Sequence, residues 1–433
     1  MNKDVKINVH HITRVEGHGN ILLDVKKGDI KKIQWQVPEA PRFFEAMLRG
    51  RHYDELRPIT SRICGICSIG HSLASLKATE DALDIEISEQ TNMLRHLAIN
   101  GENMQSHILH IGYLVAPDLF GVGSVFPLAV SNKDALLEIV KLHRLSNEMS
   151  ELICGRTTHP IRLEVGGFTM LPTKKQLERL RDRLNENLER TKKVAEIIKK
   201  VSNKLPDFKR ETEYIGLTNK DEYAFYDGDI ASTDTGVLDD YKKYRSYMDE
   251  YFVPQSTAKY AKHNRKSYMV GALARFNLNS KQLEPNAKEV ADMFGLKPIC
   301  FNPFMNNIAQ LVEFVHNIED SVKWIDKILD IGLKDEKLKK ITPKKGQGVG
   351  VIEVPRGILV HDYTIDSKGN CVKANCIIPT NQNHANIQHD MEEFAPKLID
   401  KPEKEIELSL EMLVRAYDPC ISCSTHYLDV EFV

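Results

Sequence analysis

Two Cys-x-x-Cys pairs lie near opposite ends of the chain, in Arg62-Ile-Cys-Gly-Ile-Cys67 and Asp418-Pro-Cys-Ile-Ser-Cys423. Each is followed by a histidine, His71 four residues after Cys67 and His426 three residues after Cys423. Thiolates are soft ligands that suit nickel, zinc, copper(I) or iron. Four of them drawn from both ends of a long polypeptide imply one metal centre around which the whole fold closes. Spacing alone serves a structural zinc site equally well. Three details favour a reactive centre. Arg62 and Asp418 precede the pairs, a charged couple that a closed structural site does not need. Structural zinc stabilises small modules, whereas this chain has enough apolar material to fold unaided. The histidine after each pair is suited to hydrogen bonding with sulfur.

The chain that must position these residues has 433 of them, 42% hydrophobic, and no Pro/Ser-rich linker divides it. Residues 1–433 therefore read as a single large domain, although length alone would allow two or three. Lys plus Arg (59) nearly cancels Asp plus Glu (61), which gives no reason to expect nucleic acid or an anionic membrane as partner. Met1-Asn-Lys-Asp-Val-Lys6 lacks the apolar core of a signal peptide. No apolar run reaches the length of a membrane span. Eight cysteines without a secretion signal read as metal ligands or reduced thiols in the cytoplasm, with Cys154, Cys300 and Cys371 as ordinary reduced cysteines.

Alternation predicts strands over Val5–Val9, 20–25 and 30–37, the last two joined by a hairpin turn at Gly28. Helical spacing runs from Glu89 to Ala116, where Pro117 is expected to stop it. Further helices are expected over 134–154, closed by Gly155, over 306–330, and over 403–416, which delivers the second Cys pair. Thr173-Lys-Lys-Gln176 is a capping box that opens a helix with Leu177, Leu180, Leu184, Leu188, Val194, Ile198 and Val201 on one stripe. Residues 203–262 are polar and aromatic and read as irregular. Small β elements are expected around 348–373. Lys344-Lys-Gly-Gln-Gly-Val-Gly350 lacks the setting of a phosphate loop and reads as a turn feeding a strand. His107 and His110 fall on an apolar helix face and read as core histidines. The fold class is mainly α (α+β), a long-helix bundle.

Both Cys motifs, extended to His71 and His426, resemble the signatures of nickel-iron hydrogenase large subunits. Thr13-Arg-Val-Glu-Gly-His18, Arg42-Phe-Phe-Glu45, Gly155-Arg-Thr-Thr-His-Pro160, Glu353-Val-Pro-Arg-Gly357 and Ile378-Pro-Thr380 match further family segments in order along nearly the whole chain. The resemblance implies a bundle enclosing a buried bimetallic site. Cys64 and Cys420 would be terminal on nickel, and Cys67 and Cys423 would bridge to an iron carrying CN⁻ and CO. Glu16 matches the proton gate, with pairing to Arg14 as the alternative. Cys420 is nominated as the base that splits H₂. Arg356 would contact the diatomic ligands, Thr380 would donate to a cyanide, Pro379 would wall the pocket, and His71 would hydrogen-bond a bridging sulfur. Asp418 is expected to pair with Arg62 or Arg356. Glu45, His426 and the Cys376 carbonyl would hold Mg²⁺.

The resemblance also implies partners: an iron–sulfur small subunit to carry electrons away, and flavin-containing subunits that connect to NAD(P) or another soluble acceptor. Two departures from the family pattern stand out. Ser106 occupies a place where many periplasmic members have aspartate before His107. Only residues 427–433 follow His426, where family precursors are cut during maturation, so these seven read as a short propeptide or tail. The rivals are a quinone-site subunit without nickel, whose family lacks the cysteine pairs, and a scaffold stabilised by a zinc-type four-cysteine site.

Overall fold

The computed structural model describes residues 4–426. Residues 427–433, to which the expected maturation cut belongs, lie outside the described residues. Val5–Val9, Asn20–Lys26 and Asp29–Gln36 form an antiparallel sheet, with Val5 opposite Val25 and Asn20 opposite Gln36. The connecting turn places Lys27 and Gly28 at φ 54° and 84°, the mirror-image turn geometry that matches strand twist. Ile21, Leu23 and Val25 alternate inward and are buried.

Four long helices form the bundle: Glu89–Leu109, Lys133–Cys154, Lys174–Val201 and Asn306–Ile331. The first packs on the second, the second on the third, the third on the fourth and the fourth back on the first. The capping box is present as expected, with the Thr173 hydroxyl accepting from the Gln176 N–H and the Gln176 amide oxygen accepting from the Thr173 N–H. Gly155, at φ 83°, closes the second helix.

Pro117 does not stop the first helix. Beyond Leu109 the chain continues as a π-helical segment, His110–Val115, and then as a short helix, Ala116–Phe120. Proline sits in the first turn of that last piece, where its missing N–H has no intrahelical partner to lose. Residues 203–262 also depart from expectation. They contribute Glu213–Thr218, Asp229–Ser232 and Gly236–Val237 to a four-stranded sheet completed by Tyr268–Met269. Tyr214, Tyr223, Phe225 and Tyr226 are buried there. The aromatic residues that suggested an irregular surface fill a core.

A three-stranded antiparallel sheet, Gly346–Val354, Gly357–Ile365 and Cys371–Ile377, packs against helix Ser68–Leu83. Gly346, Gly348 and Gly350 alternate along the strand and share one face. A Cβ on each would stand 2.0–2.2 Å from the carbonyl oxygens of Ala82, Ala78 and Ala74. Glycine thus lets strand and helix backbones touch directly. The glycine run at 346–350 serves this close approach and not a phosphate.

Candidate metal centre

Helix Ser68–Leu83 begins at the first Cys pair, with Cys67 in its N-cap position. An N-cap side chain normally satisfies the orphan N–H groups of the first turn, but the Cys67 side chain makes no such bond. Glu102, fully buried on helix Glu89–Leu109, supplies the cap from outside: its carboxylate oxygens accept from the Ile69 and Gly70 N–H groups at 2.6 and 3.0 Å. Cys64 sits in the preceding turn, its sulfur accepting from the Ile66 and Cys67 N–H groups at 3.2 Å each.

The second pair follows helix Glu403–Ala416. Asp418 adopts a left-handed conformation, φ 49°, and turns the chain inward. Cys420 then forms a parallel bridge with Glu16, and Cys423 lies on the single turn Ile421–Ser424. The Ile421 N–H donates to the Glu16 carbonyl at 3.0 Å, the Ser422 N–H to the Glu16 carboxylate at 3.0 Å, and the Cys420 N–H to the Thr380 hydroxyl at 3.0 Å.

All four sulfurs lie within 4.8 Å of one another and all four residues are buried. Cys64 and Cys420 are 3.4 Å apart, Cys67 and Cys423 3.8 Å, and Cys420 and Cys423 2.6 Å, all as free thiols. Tetrahedral thiolate coordination at ~2.3 Å per bond places sulfurs about 3.8 Å apart, a spacing that the Cys64–Cys420 and Cys67–Cys423 pairs approach and the Cys420–Cys423 pair must widen to reach, so the donor set suits a bound metal. Protonation points the same way. Burial pushes the Cys420 and Cys423 thiols up, whereas hydrogen bonds from Cys420, Cys423 and Cys67 hold Cys64 well below the usual thiol range. Burial disfavours four neighbouring thiolates, so holding them together calls for cations between them.

Arg356 supplies part of the positive charge. It is buried, and its Nε and Nη2 donate to the Asp418 carbonyl and carboxylate at 2.7 and 2.8 Å, while Nη1 donates to the Ser106 hydroxyl at 3.2 Å. Asp418 therefore pairs with Arg356, and Arg62 is exposed. The charged couple suggested by the two motifs does not form. Gln310 donates to the other Asp418 oxygen at 2.9 Å. Glu16 does not take Arg14 as its partner: Arg14 donates to Asp118 at 2.5 Å and to the Leu114 carbonyl at 2.7 Å.

Glu45, Cys376 and His426 also converge. His426 Nε2 lies 3.0 Å from the Cys376 carbonyl and 3.6 Å from Glu45 Oε1, which accepts the Cys376 N–H at 2.7 Å. Burial alone would raise the Glu45 carboxyl, but hydrogen bonding and charge from His426 outweigh it and hold it below its ordinary value. Pro379 and Thr380 open helix Pro379–Phe394 beside Cys420. His71 engages His361 through Nδ1 at 3.1 Å, and His361 meets the Tyr363 hydroxyl at 2.6 Å. This chain engages His71 at Nδ1 and leaves Nε2 as the ring nitrogen for the expected bond to sulfur. His107 is buried against Glu313 at 2.7 Å.

Two residues of the site carry little signal in the sequence. Glu102 belongs to no motif, and its one mark is that it is the lone acidic residue between Glu89 and Asp118. Arg42 stands out only as part of a longer segment, yet its Nη2 donates to the Ile63 carbonyl at 2.6 Å and to the Ser422 carbonyl. One guanidinium thereby ties the backbones of both Cys motifs together.

A family model described as nickel-dependent hydrogenase matches residues 42–137 and 207–426, and one described as HoxL-like matches 6–40. The chain is 34% identical over 425 residues to sulfhydrogenase 1 subunit alpha of Pyrococcus furiosus, covering 97% of each. It is 31% identical over 423 residues to sulfhydrogenase 2 subunit alpha of the same organism, covering 98% of this chain and 99% of the relative. Among solved structures, a NAD⁺-reducing [NiFe]-hydrogenase in the H₂-reduced state superposes with a TM-score of 0.87 at 25% identity, over 98% of this chain and 99% of that one.

Proposed function

The chain belongs to the nickel-dependent hydrogenase family and is the catalytic large subunit of a nickel–iron hydrogenase, and from that premise we propose how its own residues hold the metals and move the proton. Cys64, Cys67, Cys420 and Cys423 would hold the nickel–iron centre, Cys64 and Cys420 as ligands to nickel alone and Cys67 and Cys423 as thiolates shared with iron. When bound, the nickel–iron centre, with CN⁻ and CO on iron, polarises H₂ and accepts its electrons. The convergence of four buried sulfurs within 4.8 Å, from both ends of the chain, carries this reading.

The protein's part is to take the proton, exclude water and fix charge. Cys420 is the base, and Glu16 is the next acceptor. Two facts support Glu16: its backbone is bridged to Cys420, and it is half-buried, between the dry site and the surface. Thr380 accepts the Cys420 N–H and keeps its own proton to give to a cyanide. Arg356 uses three N–H groups on Asp418 and Ser106, leaving two for the diatomic ligands. Pro379 walls the site, Asp418 anchors Arg356, and His71, fixed by His361, keeps Nε2 for sulfur. Glu45, the Cys376 carbonyl and His426 hold Mg²⁺, a hard cation suited to oxygen-rich coordination.

Electrons leave through an iron–sulfur small subunit and pass to flavin and NAD(P)-linked subunits. The NAD⁺-reducing assembly among similar structures and the multisubunit naming of the sulfhydrogenases support this. Residues 1–433 act as one domain in the cytoplasm, shortened after His426 on maturation. No helix among the described residues is long and apolar enough to cross a membrane.

Elemental analysis with H₂ turnover tests the reading. Nickel and iron near one each per chain are expected, and zinc alone would sink it in favour of a scaffold. Glu16→Gln should keep both metals while suppressing turnover by ~10²-fold or more; undiminished turnover removes Glu16 from the proton path.

A further inference from the structure

Arg356 ends a loop whose preceding residues are held by another buried arginine. Arg275, on helix Ala272–Asn279, has no solvent exposure and directs its donors to two sides. On one side, Nε and Nη2 make a two-pronged bond to Glu313, both at 2.7 Å. On the other, Nη1 donates to the Glu353 carboxylate at 2.8 Å and to the Val354 carbonyl at 2.9 Å, and Nη2 to the Pro355 carbonyl at 3.1 Å. The three residues immediately before Arg356 are thus fastened to a single guanidinium.

Glu313 completes a circuit. Its Oε2 also meets His107 Nε2 at 2.7 Å, and its Oε1 accepts from the Tyr223 hydroxyl at 2.8 Å. His107 immediately follows Ser106, whose hydroxyl accepts from Arg356 Nη1 at 3.2 Å. The ring therefore runs from Arg275 through Glu313, His107 and Ser106 to Arg356 and returns along the backbone through Pro355. Lysine offers a point charge with three rotatable donors and cannot reproduce the planar fork that spans Glu313 and the loop.

We propose that Arg275 is a positioning residue for H₂ turnover, setting the Arg356 guanidinium against the four sulfurs by clamping residues 353–355 to Glu313. This rests on the reading of Arg356 given above. Arg275 touches neither metal nor substrate. It acts only through the loop, so its effect depends on the presence of an arginine at 356.

The test uses the assembled holoenzyme carrying Arg275→Lys, Arg356→Lys, or both, with nickel and iron content, kcat and the KM for H₂ measured on each. Arg275→Lys should retain both metals, leave KM within about threefold and lower kcat by about a hundredfold, the loss expected for displacement of a positioned group by about 1 Å. In the double variant, kcat should match that of Arg356→Lys alone, because removing the clamp costs nothing once the clamped arginine is gone. Multiplicative losses would overturn the clamp while leaving the role of Arg356 intact. An Arg356→Lys enzyme with unchanged kcat would instead sink the reading on which the clamp rests. Should Arg275→Lys lose its metals, Arg275→Gln and Glu313→Gln provide the same cycle; metal loss in all three would overturn the inference in favour of a purely structural role.

Discussion

The two Cys-x-x-Cys pairs share a spacing and a destination but are held in different ways. The first is built on regular structure: Cys67 heads a helix of 16 residues, Glu102 caps it, and a glycine-lined strand lies flush against it. The second is held by contacts with distant segments: Glu16 near the N-terminus, Thr380 on another helix, and Arg356 at a strand end. One pair heads a long helix that other elements brace, and the other sits on a single turn fixed directly by segments remote in sequence.

The sharpest way to break the second half is Asp418→Asn. Asparagine tolerates the left-handed backbone at this position, so the substitution removes charge with little change of shape. It leaves the buried Arg356 cation without its carboxylate, which should cost about 3–5 kcal/mol. Denaturant unfolding of the metal-free chain should show the loss, and the mature enzyme should contain little nickel. Unchanged stability would mean that the Ser106 hydroxyl, the main-chain carbonyl at 418 and the neutral amide oxygen of the substituted side chain satisfy Arg356 by themselves.

The first half should fail through packing. Gly348→Ala places a methyl group 2.2 Å from the Ala78 carbonyl and from the Ala82 N, both of them backbone atoms that cannot rotate aside. Strand and helix must separate, at a cost of about 1–3 kcal/mol. The Cys64–Cys67 pair should move with its helix while the Glu16–Cys420 bridge stays. A crystal structure of the variant with both pairs displaced equally would erase the distinction between the halves.

The contrast also explains what could be read from sequence. Periodicity predicted the capped helix opened by Thr173, whose stripe faces a dry bundle. It under-described Asn306–Ile331, where Gln310, Glu313, His316 and Asn317 are as buried as the leucines, because a helix that serves a site carries polar groups inward. The Cys, Glu16, Arg356 and Thr380 positions were legible as ordered motifs. Glu102, Arg275 and Glu313 were not: each acts through a partner remote in sequence, and an isolated charge within a helix does not name its partner. Pro117 misled because a π-helical turn allows a helix to restart, and residues 203–262 misled because buried tyrosines look polar in composition.

Strand Gly346–Val354 joins the halves, its glycines on the first pair's helix and its end beside Arg356, so Glu353 offers the finest test of their separation. Burial pushes its carboxyl up from 4.5 to about 7, with Arg275 and the Leu217 N–H opposing the shift and Glu313 adding to it. A folded-state value raised above the unfolded one means the neutral form is preferred. The stability this contributes is fully present below pH 4.5 and is lost as pH rises through 7. Glu313, lowered to about 2, works in the opposite sense and titrates outside that window. Stability should therefore fall between about pH 5 and 8 by about 2–3 kcal/mol. Glu353→Gln should remove that slope while costing some stability at the acidic end, since its amide must meet either the Leu217 N–H or Arg275. The position of Cys67 should not change, because the glycine contacts lie at the other end of the strand. A slope that persists in Glu353→Gln would transfer the titration to another buried group and detach the strand's end from the pH response of the second half.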